Sequence, residues 1–321
     1  MPGRVLILAG GGGHTGYAYT LARELKEKTD MSFLVPKGDQ LSRVRLQPFG
    51  SVKTLLKPRH PRTPLRYFIP RLLLAFLQSL TKIPMECRAV VSTGSNFCVP
   101  PALTSWLKGV PLINLEAADR LAKPSRTAQI LQPFSDVTVL QWEEQRKFLK
   151  GTVFGPFLPP RRFEPWNGGY VLISGGTYGF KELFDVASGT TLRNVVLQSG
   201  SVNNERYRRS HPDWKVVTIT QRFHELIAGA EIVVSPPGAT ALEAITYGKP
   251  IVIVRYPKWS LAGTLEEARL FAKKLNAPFL SDLSPETFLE NIEMAKDREK
   301  PRLRDGTKEL TEYMVKAYLK P

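Results

Sequence analysis

Short, wholly apolar runs alternate along this chain with longer stretches that carry apolar residues on one helical face. Residues 5–9 form the first such run, and 15–28 follow with Tyr19, Leu21, Ala22 and Leu25 on or near one side. Residues 31–35, 89–92, 111–115 and 136–140 repeat the strand pattern, with helical segments such as 102–108 and 143–150 between them. This alternation predicts a parallel sheet with helices on both faces. After a proline-rich linker at 155–160 the series starts again, with strands at 170–173, 194–198, 215–219, 231–235 and 251–255. The pattern therefore predicts two α/β domains, residues 1–160 and 161–306, and an amphipathic terminal helix at 307–319 that could cross back to the first. Two segments resist the pattern. Residues 36–66 are basic, proline-bearing and unassigned, and the helix at 71–82 is apolar over most of its surface. That helix suits either a core position or an interfacial one, with Leu73, Phe76 and Leu77 in a bilayer and Arg62, Arg66 and Arg71 on lipid phosphates.

Composition narrows the class. With 42% hydrophobic and 23% charged residues over 321 positions, the chain has the makeup of a folded protein. Its longest purely apolar run, 72–77, is far short of the roughly 20 residues a spanning helix needs, and 5–9 is too short for a secretory core. A cytoplasmic protein is expected. Cys87 and Cys98 form no Cys-x-x-Cys pair and the four histidines do not cluster, which argues against zinc and disulfides. The net charge of +16 is uneven: residues 1–160 hold 22 basic against 10 acidic side chains. An anionic partner for the first half follows, whether membrane surface, polyanion or phosphorylated substrate. No helix-turn-helix, zinc-finger or aromatic RNA-binding signature accompanies the charge, so nucleic acid is not expected.

The chemistry concentrates in two glycine loops, 9–16 and 174–179, each after a strand and before a helix. Glycine lets backbone N–H groups close on an anion while the helix presents its positive end, so a diphosphate in a cleft between domains is the expected guest. Gly11-x-Gly13-x-x-Gly16 fits the dinucleotide fingerprint formally, but the second strand ends Val35-Pro36-Lys37, without the acidic residue that would hold a ribose. Neither loop carries a Walker lysine. His14, in the first loop, has a side chain suited to removing a proton at neutral pH; capping the helix or contacting an anion are its other readings. His60, His211 and His224 are read as surface or loop residues. In the second half, Ser235-Pro236-Pro237-Gly238-Ala239-Thr240 is a strand, turn and helix start, and Glu243 lies one turn further, within reach of ribose hydroxyls.

These residues carry a family resemblance over almost the whole chain. The second half resembles the donor-binding domain of family 28 glycosyltransferases. The first half looks like the acceptor-side, membrane-recruiting subunit of the two-subunit enzyme that adds the second GlcNAc to the dolichyl-diphosphate precursor of N-glycans. The matching positions are 10–16, 93–100 and 115–120, then Ser125, Thr127, Asp136, Gln141 and Trp142. The chain reads as a fusion of the two subunits, as expected of an archaeal version. The resemblance implies the two-domain GT-B fold, a UDP-sugar donor, and a lipid-diphosphate-linked sugar acceptor at an anionic membrane face. It implies His14 at the active centre, Gly175, Gly176 and Thr177 on the donor diphosphate, and Gly238, Ala239, Thr240 and Glu243 on phosphate and ribose. Gly12, Gly13, Thr15, Gly94, Asn96 and Arg120 fall on the acceptor side, and Glu116, ending a strand, is the alternative base. With no Asp-x-Asp motif in the chain, no metal or other cofactor is expected. Two departures stand out: Pro236-Pro237 precedes the turn glycine, and 263–268 reads Gly-Thr-Leu-Glu-Glu-Ala where the family reads its sugar. A UDP-sugar epimerase and a transferase with another acceptor sugar share much of this pattern.

Overall fold

A computed structural model describes residues 4–59, 64–256 and 263–319, which divide into two compact units, Met1–Phe157 with Arg304–Pro321 and Leu158–Leu303. The first is built from β1 (Arg4–Leu8), α1 (Gly13–Leu25), β2 (Met31–Pro36), α2 (Gln40–Leu46), β3 (Gly50–Leu55), α3 (Phe68–Lys82), β4 (Cys87–Ser92), α4 (Val99–Leu107), β5 (Leu112–Leu115), α5 (Arg126–Leu131), β6 (Val137–Leu140) and β7 (Thr152–Val153). Among the described residues its sheet has seven strands, all parallel, in the order β3-β2-β1-β4-β5-β6-β7. The central strands β1, β5 and β6 are buried along nearly all their length and mostly apolar, because helices cover both faces. The order reverses between β1 and β4, the place where α/β sheets of this kind bind ligands.

The second unit comprises β8 (Val171–Ser174), α6 (Lys181–Ser188), β9 (Val195–Gln198), α7 (Glu205–Ser210), β10 (Lys215–Val217), α8 (Phe223–Gly229), β11 (Ile232–Ser235), α9 (Ala239–Thr246), β12 (Ile251–Val254), α10 (Leu265–Lys274), β13 (Phe279–Leu280) and α11 (Pro285–Lys296). Its parallel sheet runs β10-β9-β8-β11-β12-β13 and reverses between β8 and β11. The last helix, α12 (Gly306–Met314), belongs to the first unit, where Leu310 and Met314 are buried in the core that holds Leu21 and Leu25 of α1.

The structure refines the sequence pattern in four places, the first and last of which the sequence had left open. The unassigned 36–66 segment contains α2 and β3; β3 is an edge strand with Lys53 exposed on it, so its alternation is half polar. The helix expected at 143–150 is a short 3-10 segment, Glu143–Lys147, shaped by Gln145 reaching back to the backbone of Gln141. The terminal helix loosens into a π-turn over Val315–Leu319. Finally, α3 is not a core helix: only Ala75 and Ser79 are buried, while Ile69, Leu73 and Leu77 are each about 60% exposed or more.

Candidate functional site

In the first unit the site forms where the loops after β1 and β4 meet. Gly12, at φ 57°, precedes α1 with no side-chain cap, and a Cβ at Gly12 or Gly13 would meet nothing within 4 Å. The start of α1 is therefore open, with its first amide groups at the surface. His14 leans across this opening, its Nδ1 2.6 Å from the carbonyl of Thr93. A carbonyl only accepts, so Nδ1 carries the proton and Nε2 keeps the lone pair. Gly94 makes room for the ring, since a Cβ there would lie 2.9 Å from its Cε1 and Nδ1. Burial pushes the imidazole pKa down to about 4; the Thr93 bond opposes this, and the charges of Lys57 and Arg120 add to it. The ring is neutral at pH 7.

Lys57 is a residue that sequence reasoning missed, having counted it only among the 22 basic side chains of residues 1–160. Its Nζ donates to the Gly10 carbonyl at 3.1 Å, and burial lowers its pKa against the pull of Asp39. Asn96 holds the same segment through the backbone N and O of Arg59, both at 3.3 Å. Arg71 holds it from α3, donating to the carbonyls of Lys57 at 2.9 Å and Pro58 at 3.1 Å. Arg71, expected on lipid phosphates, thus fastens α3 to the lysine loop. Arg66 is exposed, with its guanidinium over the Tyr67 ring; Phe76 is half-buried, and Arg62 and His60 lie outside the described residues. Thr15 faces inward, its hydroxyl 2.6 Å from that of Ser42, which bonds Asp39 in turn.

Glu116 is wholly buried and both its oxygens are occupied, Oε1 by the Ala117 amide and Oε2 by the Ser125 amide, each at 2.7 Å. Burial raises its pKa to about 7 against those amides. The motif residues around it serve the same loop: Gln141 donates to the Glu116 carbonyl, Trp142 to that of Ala118, and Gln145 to those of Ala117 and Arg120. This scaffold fixes the strand-end loop from which Arg120 acts on His14.

In the second unit the loop after β8 stacks on the loop after β9. Ser201 donates its amide to the Thr177 carbonyl and its hydroxyl to that of Tyr178, while Gln198 braces Ser174 at 2.7 Å. Gly175 is packed tightly, but a Cβ on Gly176 would meet open space and Thr177 is exposed, so the outer edge of the loop is accessible. Across the sheet reversal, Gly238, at φ 134°, starts α9 with no side-chain cap and nothing within 4 Å of a Cβ. Ala239 and Thr240 are half-buried. Glu243 is buried, and its Oε1 lies directly against Nδ1 of His224. His224 is therefore no surface residue: α8 packs on α9 and turns the imidazole between them. His211 stacks on Trp214 and bonds Ser188. In 263–268, Glu267 closes a capping box on Thr264 and so starts α10.

The fold is shared with enzymes of known structure. Acinetobacter baumannii MurG superposes with a TM-score of 0.67 at 17% identity, over 98% of this chain and 100% of its own. A UDP-GlcNAc 2-epimerase from Neisseria meningitidis, solved with UDP-GlcNAc, gives 0.62 at 13% over 98% of each chain. Anabaena HepE in complex with UDP gives 0.57 at 12%, over 98% and 95%. No curated protein matches the chain. Two Rossmann-like domains with these neighbours define the GT-B fold class, and the chain is a glycosyltransferase by its family matches. Residues 5–156 match the family "Oligosaccharide biosynthesis protein Alg14 like" and 170–312 the "Glycosyltransferase family 28 C-terminal domain". The protein joins an Alg14-like domain to a family 28 domain in a single chain.

Proposed function

We propose that the protein transfers GlcNAc from UDP-GlcNAc to a polyprenyl- or dolichyl-diphosphate-linked GlcNAc, with inversion, forming a β1,4 bond and a chitobiose-lipid precursor of N-glycans. The observation that carries this reading is the pairing of a neutral His14, its Nε2 lone pair unprotonated, with an open helix start and the cations Lys57 and Arg120. That combination suits an anionic acceptor whose hydroxyl must lose a proton. Nε2 takes the proton as the acceptor oxygen attacks the anomeric carbon, and the bond from that carbon to the diphosphate breaks, its electron pair leaving with UDP. Positioning lowers the barrier, as do donors aimed at the growing charge. For the donor, the 175–177 loop and the start of α9 would hold the diphosphate and Glu243 the ribose. These amide and dipole contacts would serve where other transferases use a metal, so activity is expected in excess EDTA.

The exposed apolar face of α3, with the basic charge of this half, supports docking on the cytoplasmic membrane face. Among the described residues no helix is long and apolar enough to cross a membrane. The likeness to epimerases gives a second reading, against which both family matches weigh. The test is a transfer assay with UDP-GlcNAc and synthetic lipid-diphosphate-GlcNAc in EDTA, on wild type and His14→Ala. A chitobiose-lipid lost in the variant is the expected result. Conversion of UDP-GlcNAc without acceptor, or strict dependence on Mg²⁺ or Mn²⁺, would refute it.

A further inference from the structure

The proposed donor site contains a contact that the motifs did not suggest. Glu243 lies one turn inside α9, past the open Gly238 end, and its side chain is only 8% exposed. A carboxylate buried to that degree requires a partner, because an unpaired buried charge is strongly disfavoured. The partner is His224 on α8, itself 6% exposed, with Nδ1 against Oε1. An imidazole that carries its proton on Nδ1 would donate it to Oε1, since a carboxylate oxygen accepts. With Oε1 committed to the imidazole, Oε2 remains to accept from a ligand hydroxyl.

We propose that His224 is a positioning residue that fixes the Glu243 carboxylate so that Oε2 receives the ribose hydroxyls of the uridine nucleotide. The proposal rests on the reading of Glu243 as the ribose ligand. A free glutamate would have to order three side-chain torsions on each binding event, whereas one held by a buried imidazole is ordered in advance. His224 touches no ligand in this scheme. Its effect should therefore appear in selectivity for the sugar hydroxyls and not in contacts to uracil or phosphate.

The test is calorimetric titration of the full chain with UDP and with its 2′-deoxy and 3′-deoxy analogues. Wild type should prefer UDP by about tenfold or more over at least one analogue, the scale of a hydrogen bond to a charged group. Glu243→Gln should collapse that ratio, and His224→Phe should bring it below about threefold with little change in affinity for the analogue. His224→Asn, whose Nδ2 falls where the imidazole Nδ1 lies, should restore most of the ratio; His224→Gln, whose amide reaches too far, should not. These two polar variants keep the test decisive if the phenylalanine variant folds poorly. A ratio that Glu243→Gln collapses but His224→Phe and His224→Gln leave at the wild-type value would overturn the positioning role alone. A wild type indifferent to both hydroxyls would overturn the ribose reading and the positioning role together.

Discussion

His14 and Glu116 should make opposite contributions to stability over almost the same pH range, and removing either should expose the other. For His14 the pKa falls from 6.5 to about 4 on folding. Above pH 6.5 the ring is neutral in both states and folding carries no penalty. Between 6.5 and 4 the unfolded chain binds a proton that the folded one does not, so stability falls as pH falls, by about 3 kcal/mol in all at 1.36 kcal/mol per unit. Glu116 runs the other way, its pKa rising from 4.5 to about 7. Its contribution is full below pH 4.5 and is lost as pH rises to 7, again by about 3 kcal/mol. The two largely cancel in the wild type. Urea unfolding at intervals from pH 4 to 7.5 should find His14→Gln losing stability relative to wild type as pH rises, and Glu116→Gln losing it as pH falls. Each relative slope should approach 1 kcal/mol per unit near pH 5.5. The acid limb of kcat/KM should also lie nearer pH 4 than 6.5, because that profile reports the base of the free enzyme. Parallel stability curves for wild type and His14→Gln, or an acid limb at 6.5, would show that the ring is solvated and that the environment described for it is wrong.

Gly94→Ala combines a strained φ of 99° with a methyl 2.9 Å from the His14 ring. It should cost about 1–3 kcal/mol and most of the turnover, while UDP titrated calorimetrically still binds the other unit with wild-type affinity. Leu73→Glu with Leu77→Glu, on the exposed face of α3, should cut flotation with anionic vesicles tenfold or more at unchanged melting temperature. Arg71→Ala should instead lower the melting temperature, by removing two donors to the lysine loop.

The strands of both sheets were legible because parallel strands covered on two faces must be apolar, and residues 5–9 or 251–255 admit few other readings. The glycine loops were legible for a similar reason: open φ values and uncapped helix starts demand glycine whatever binds there. Lys57 was not, since one lysine among the 22 basic residues of 1–160 has no local pattern to mark it. Only the pairing of β2 with β3 carries its loop to Gly10. Glu116, Gln141 and Trp142 were marked by the family resemblance, but their bonds, and those of Gln145, to backbone groups of the 116–125 loop had no local pattern either. Such partners lie up to 28 residues away and are set by the register of β5 on β6.

The two glycine-led helix starts solve one problem in different electrostatic settings, and the difference bears on their roles. At α1 the opening is flanked by Lys57 and Arg120, cations that add to the burial that keeps His14 unprotonated. At α9 the acidic side chain one turn inside the helix, Glu243, lies against the imidazole of His224. An acceptor diphosphate keeps its charge through the reaction, so permanent cations beside it favour binding without opposing the chemistry. A leaving diphosphate gains charge as the bond breaks, and amide groups at a loop and a helix start are suited to that change because their dipoles are already fixed. Bound at α1, an anion would offset the two cations and raise the affinity of His14 for a proton. On the proposed assignment the base therefore strengthens when the acceptor arrives, and the acid limb of kcat should lie above that of kcat/KM. Coincident limbs in the two profiles would place the acceptor diphosphate elsewhere.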